Sequence, residues 1–90
     1  MEEYRHFFGC GVEMKIEHDE DGYTVNFDGV GYAPLTDFFT DFKNLLYGIK
    51  DAIQSYSDTK TEIETIAFEL DCNFDTGIEY DEMEEILLNV

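Results

Sequence analysis

Positive charge is what this chain has least of. Five Lys and Arg residues stand against 22 Asp and Glu, a net charge of −17 over 90 residues. That is far beyond the few units that solubility asks of a small domain. Such a field repels nucleic acid and anionic membrane, which excludes both as direct partners, and it attracts basic protein surfaces. Cysteine is scarcer still: Cys10 and Cys72 form no CxxC and make no disulfide framework. No stretch approaches transmembrane length. The opening Met1-Glu2-Glu3-Tyr4-Arg5 lacks the apolar run of a signal peptide. A cytoplasmic protein with free thiols is the expectation.

What is present points to a folded molecule. Hydrophobic residues make up 43% of the chain and aromatics 16%, with eight Phe and six Tyr. A disordered acidic chain is poor in both. A chain of this length makes one domain spanning residues 1–90. Its anionic shell repels itself, and the core must offset that repulsion. Stability should therefore rise with salt as screening shortens the repulsion. A melting temperature that climbs between low and moderate ionic strength is the expected result; a flat one counts against it.

The apolar pattern changes period along the chain. Val12, Met14 and Ile16 alternate with Glu13, Lys15 and Glu17, and Tyr23, Val25 and Phe27 alternate with Thr24, Asn26 and Asp28. Joined by the turn Asp19-Glu20-Asp21-Gly22, these read as an antiparallel hairpin. From Pro34 onward Leu35, Phe38, Phe39, Phe42, Leu45, Leu46, Ile49, Ile53 and Tyr56 recur at helical spacing. The spacing predicts one long helix from about Thr36 to Tyr56, roughly 30 Å, ended by Ser57-Asp58-Thr59-Lys60. Its Gly48 costs about 1 kcal/mol relative to Ala, a cost that close approach of a neighbour would justify. Ile66, Phe68, Leu70, Cys72 and Phe74 alternate as a third strand would, although Thr61 and Glu64 stand at capping-box spacing for a helix. The strand is the favoured reading. Ile78-Glu79-Tyr80 is a candidate for a short further strand, which leaves a sheet of three or four strands, and Met83, Ile86, Leu87 and Val90 fit a short C-terminal helix. The expected class is α+β, a small antiparallel sheet packed on one long amphipathic helix.

The acidic side chains fall into two candidate patches. Glu13, Glu17, Asp19, Glu20 and Asp21 form one, on the outer face and turn of the hairpin. Asp37, Asp41 and Asp51 form the other, on one face of the long helix. Carboxylates lie roughly 6.5–7 Å apart at i, i+2 on a strand and roughly 6 Å apart at i, i+4 on a helix. Those separations are of the same order as phosphate spacing on duplex DNA. Tyr4, Tyr23, Tyr47 and Tyr80 are candidate aromatic anchors, because Tyr is enriched where binding energy concentrates.

In its Asp/Glu excess, compact length and lack of catalytic apparatus, the chain resembles the small acidic inhibitors that phages make against host nucleases, such as anti-restriction and anti-CRISPR proteins. Composition carries this resemblance; no motif does. It implies a non-enzymatic DNA mimic, without cofactor, that occludes the nucleic-acid site of a basic protein, acting as a monomer or homodimer. An immunity protein that neutralises a basic toxin shares the same physics.

A different class is a calcium module. Asp71, Asn73, Asp75 and Glu82 stand at positions one, three, five and twelve of an EF-hand-like loop. Thr76 occupies position six, where the sharp turn calls for glycine, and no second loop of good match is present to pair with it. This reading also requires a helix over 62–70. His6 and His18 have no spaced Cys or His partner for zinc. Cys10 has no base beside it in sequence, and Gly29-Val30-Gly31 lacks the further glycine and lysine of a phosphate loop. None of these marks an enzyme.

Overall fold

A computed structural model describes residues 2–29 and 31–89. Four strands come first: β1 (Glu2–Phe7), β2 (Val12–His18), β3 (Tyr23–Gly29) and β4 (Tyr32–Phe39). Three helices follow: α1 (Phe42–Tyr56), α2 (Lys60–Asn73) and α3 (Tyr80–Leu88). The strands form one antiparallel sheet in the order β1-β2-β3-β4. The fold is α+β.

The expected hairpin is β2 and β3, in the register Ile16↔Val25 and His18↔Tyr23. Val12, Met14 and Ile16 pack inward with Val25 and Phe27, while Glu13, Lys15, Glu17, Thr24 and Asn26 face away from the core. Period-two patterning therefore sets one greasy and one wet face. Asp19 shapes the turn, its Oδ1 accepting from the backbone N–H groups of Asp21 (2.9 Å) and Gly22 (3.2 Å). Gly22 has φ 145°, and a Cβ there would lie 2.5 Å from the Phe39 carbonyl oxygen. Gly22→Ala is expected to destabilise by about 1–3 kcal/mol, read as a lower urea midpoint with an unchanged m-value.

Three expectations are corrected. The segment 66–74 is not a strand: Lys60–Asn73 is helical. Its buried residues are Ile63, Ile66, Ala67 and Leu70, at helical spacing, while Phe68 and Cys72, which completed the alternation, are exposed. The cap lies two residues before the pair read from sequence. Thr59 accepts from the Glu62 N–H at 3.2 Å, and Glu62 accepts from the Asp58 N–H at 3.1 Å.

The predicted helix from Thr36 starts too early. Residues 36–39 belong to β4, and α1 begins at Phe42, capped by Asp41, whose Oδ1 accepts from the Asn44 N–H at 2.9 Å. Pro34 sits on the edge strand, where its missing N–H is tolerated. Instead of one long helix, α1 with 15 residues and α2 with 14 cover the sheet together. Finally, Ile78-Glu79 is the connection into α3 and Tyr80 its first residue, so no strand forms there. The sheet's remaining strands are β1 and β4. The closing helix stands as expected over Met83, Ile86 and Leu87; Val90 lies outside the described residues.

α2 lies against β1, α1 against β4, and α3 touches both helices. Gln54 Nε2 donates to the carbonyls of Leu87 and Asn89, each at 2.8 Å, satisfying acceptors at the end of α3. Gly48 faces Phe39: a Cβ there would come within 2.3 Å of the ring. The glycine in mid-helix thus admits the last residue of β4 beneath α1.

Candidate functional site

The hairpin carboxylates lie on the outer face and turn where the sequence places them, but those of the second patch do not share a helix face. Glu13 and Glu17 lie on the outer sheet face beside Arg5 and Lys15. Arg5 Nη1 is 3.8 Å from Glu13, Arg5 Nε is 2.9 Å from Glu3, and Lys15 Nζ is 3.3 Å from Glu17. Two of the chain's five cations are therefore spent on this face. Such exposed pairs add little stability, but they lower the local charge. Asp37, Asp41 and Asp51 do not share a helix face: Asp37 is on β4, Asp41 caps α1, and only Asp51 is helical.

What the fold does assemble is an acidic pole at one end of the sheet. His18 pairs with Glu2 on one side and Tyr23 on the other, and Tyr23 pairs with Phe39. The β2–β3 turn is thereby set beside the β4–α1 corner, where a Cβ on Gly22 would lie 3.1 Å from Thr40 Cα. Asp19, Glu20 and Asp21 come next to Asp41 in this way. Two open concavities meet at Glu2. One, of about 610 Å³, is lined by Glu2, His18, Asp19, Glu20 and Asp21. The other, of about 560 Å³, runs over the α2–α3 connection from Asp71 to Tyr80. Neither lining contains Lys or Arg. Burial, then Glu2, Asp41 and Asp75, raise the Tyr23 phenol above its ordinary value.

The pole divides into carboxylates that build and carboxylates that are unengaged. Asp19 holds the turn and Asp41 the helix cap. Glu2 Oε1 is 2.9 Å from His18 Nδ1, and the His18 ring stacks on Tyr23 at 4.2 Å. Glu20, Asp21 and Asp75 are exposed. Beneath them an aromatic cluster fixes the geometry. Phe74 packs on Tyr23 at 5.9 Å and on Phe42 at 5.7 Å, and Tyr23 on Phe42 at 5.2 Å.

Tyr23 is therefore not an exposed anchor; it is 7% exposed and belongs to the core. Tyr4 is likewise buried, whereas Tyr47 is half exposed on α1. Sequence reasoning missed three exposed aromatics, Phe7, Phe38 and Phe68, of which Phe38 is the one beside the β2–β3 turn. Read as helix core, it lies instead on the outer sheet face opposite Thr24, 52% exposed, with its ring edge against Gly22. It places an apolar surface at Gly22, the residue that follows Glu20 and Asp21 in the turn.

Away from the pole, β1 is tied to α2. Tyr4 Oη donates to Glu69 at 2.7 Å, and His6 Nε2 is 2.8 Å from Glu62. Burial first, then Glu69 and Glu62, hold the Tyr4 phenol protonated far above its ordinary range. An unfolded tyrosine titrates near 10. The folded chain keeps this proton where the unfolded chain loses it, so the contribution is complete below pH 10 and falls as pH rises past it. Urea midpoints should hold level from pH 7 to 9 and drop above about 10. Tyr4→Phe should flatten that drop; an equally steep fall in the variant would place its cause elsewhere.

The calcium loop gains its helix, but its ligands diverge. Asp71 and Asn73 remain within α2, and Asn73 Nδ2 donates to the Glu69 carbonyl at 2.7 Å. Glu82 turns to Lys43 Nζ at 3.1 Å. Among the described residues no group of three His, Cys, Asp or Glu side chains converges as metal ligands would. Cys10 and Cys72 are free and exposed, and Cys10 Sγ lies 3.8 Å from the Tyr56 carbonyl oxygen. Among the described residues no helix is long and apolar enough to cross a membrane.

No known protein family, curated protein or solved structure matches this chain.

Proposed function

We infer that the chain is a non-enzymatic acidic binding protein that inhibits a basic, nucleic-acid-handling protein by occupying its nucleic-acid site. The observation that carries this reading is the pole. Carboxylates from β1, the turn and the α2–α3 connection line two concavities that contain neither Lys nor Arg, with Asp41 of the β4–α1 corner close enough to act on Tyr23. Exposed carboxylates beside an exposed phenyl ring suit a surface whose Lys and Arg side chains otherwise hold phosphates and stack on bases. Their long-range attraction speeds encounter, and the contact weakens with salt. The ring supplies the desolvated centre that charge alone does not. Resemblance to phage-made nuclease inhibitors in size and charge supports the same reading.

The test is capture from a host lysate at low salt on the immobilised chain, beside the Glu20→Lys, Asp21→Lys double variant. Captured proteins should be nucleic-acid-binding, should elute with salt, and should be displaced by added duplex DNA. Retention that neither the double variant nor duplex DNA reduces would defeat the proposal.

A further inference from the structure

The sheet has two edges, and they are unlike. β1 carries Glu2, Glu3, Arg5 and His6 within six residues. It is also tied to α2 through Tyr4–Glu69 and His6–Glu62. Charged side chains and a covering helix are how proteins blunt an edge against strand addition. β4 lacks the charged side chains along most of its length. Its eight residues, Tyr-Ala-Pro-Leu-Thr-Asp-Phe-Phe, contain a single charge, Asp37, and no lysine. Pro34 blocks ladder pairing only near the start. Beyond it Leu35 is 48% and Phe38 52% exposed, one on each face of the edge. α1 packs on the face of β4, with Gly48 over Phe39.

The charge around this edge is mostly negative: Lys15, which shares an outer-face concavity with Pro34 and Thr36, is paired with Glu17 at 3.3 Å. No Lys or Arg occurs between Lys15 and Lys43. Asp37 is exposed, and the acidic turn adjoins the C-terminal end of the strand through Gly22.

We propose that the open edge of β4, over residues 35–39, pairs with an extended cationic segment of the target protein, adding a fifth strand to the sheet. Main-chain hydrogen bonds supply affinity in this mode, and alternate side chains supply specificity. Lys or Arg on the helix side of the added strand meets Asp37, which stands opposite core-facing Val25. Apolar residues on the other side meet Phe38. A second copy of this chain fits the edge poorly, because it brings its own −17 charge and sets Asp37 near Asp37. The proposal rests on the inhibitory reading above and names where and how the partner is held.

The probe is a short blocked peptide of alternating lysine and valine, followed by amide NMR at low salt. Backbone amides across residues 35–39 should shift, and the alternate ones that point away from β3 should become protected from exchange. N-methylation of every second peptide amide should weaken binding about tenfold or more, because the ladder loses its donors. Leu35→Lys, remote from the pole, should weaken binding to a similar extent while leaving the remaining amide pattern intact. If methylated and unmethylated peptides bind alike and shifts spread over the acidic pole, strand addition is wrong and the charge reading stands. If neither lysine peptide binds, both fall. Sedimentation showing a dimer of the free chain, with the outward-pointing amides of residues 35–39 already protected, would give the edge to a second copy and overturn the proposal.

Discussion

Phe74→Ala should cost about 3–5 kcal/mol, the expected range for truncating a buried phenylalanine. Phe74 is 3% exposed, and its ring touches Tyr23, Phe42 and His18, at 5.9, 5.7 and 6.5 Å. Those partners come from β3, the first turn of α1 and the end of β2. One ring therefore joins three elements beneath the acidic pole, and its loss leaves a cavity that no flexible side chain fills. A small domain holds about 5–15 kcal/mol in all, and this one also carries self-repulsion from its coat. A large fall in the urea midpoint is expected, partly recovered by salt. Phe74→Leu, which keeps much of the volume, should cost less than half as much. A near-neutral Phe74→Ala would mean that the pole is held by something other than this cluster.

The same ring shows how far the chain's pattern can be read. Phe74 completed an alternation of Ile66, Phe68, Leu70 and Cys72 that looks like a strand. Period two and period 3.6 share positions i and i+4, so Ile66, Leu70 and Phe74 are core under either reading. Phe68 and Cys72 decide between them, and a phenylalanine 58% exposed is not what composition suggests. It lies against the Tyr80 ring at 6.2 Å, across to α3. The capping signal was present as Thr59 with Glu62, two residues ahead of the pair that drew attention. The hairpin and the closing helix were legible because each has a single period bounded by turn residues.

The candidate site was legible in kind and not in place. Net charge needs no fold, and Asp19-Glu20-Asp21 was identifiable as a turn from its Gly22. Assigning Asp37 and Asp41 to a helix face failed because Thr40-Asp41 begins a helix that Pro34 only seemed to begin. The error also hid Phe38 and the open edge, since a residue placed in a helix core is not sought on a sheet surface. Lys15 and Glu17 share one face of β2, but pairing of Glu13 with Arg5 depended on β1 adding beside β2. Neighbours that distant in sequence leave no periodic trace. Tyr23 was misjudged for a related reason: its ring is enclosed by Phe42 and Phe74, which arrive from later elements.

Reversing Glu20 and Asp21 together to Lys should weaken association with a basic partner by about a hundredfold at low ionic strength. Both side chains are exposed, and neither caps a helix nor accepts a bond that shapes the turn, a task that falls to Asp19. Placing like charge against like across an interface costs several kcal/mol, and about 2.7 kcal/mol corresponds to a hundredfold. The loss should fall mainly on the association rate and shrink as salt screens the field. The free domain should be as stable as the parent or more so, because two anions leave a pole that already holds Glu2, Asp41 and Asp75. Stability and binding are thus expected to move in opposite directions. A variant that folds well and binds unchanged at every salt concentration would detach the pole from function. Glu13→Lys with Glu17→Lys serves as the companion variant, since those carboxylates already sit beside cations. It alters net charge equally, so a weaker effect there assigns the loss to the pole's position and not to total charge.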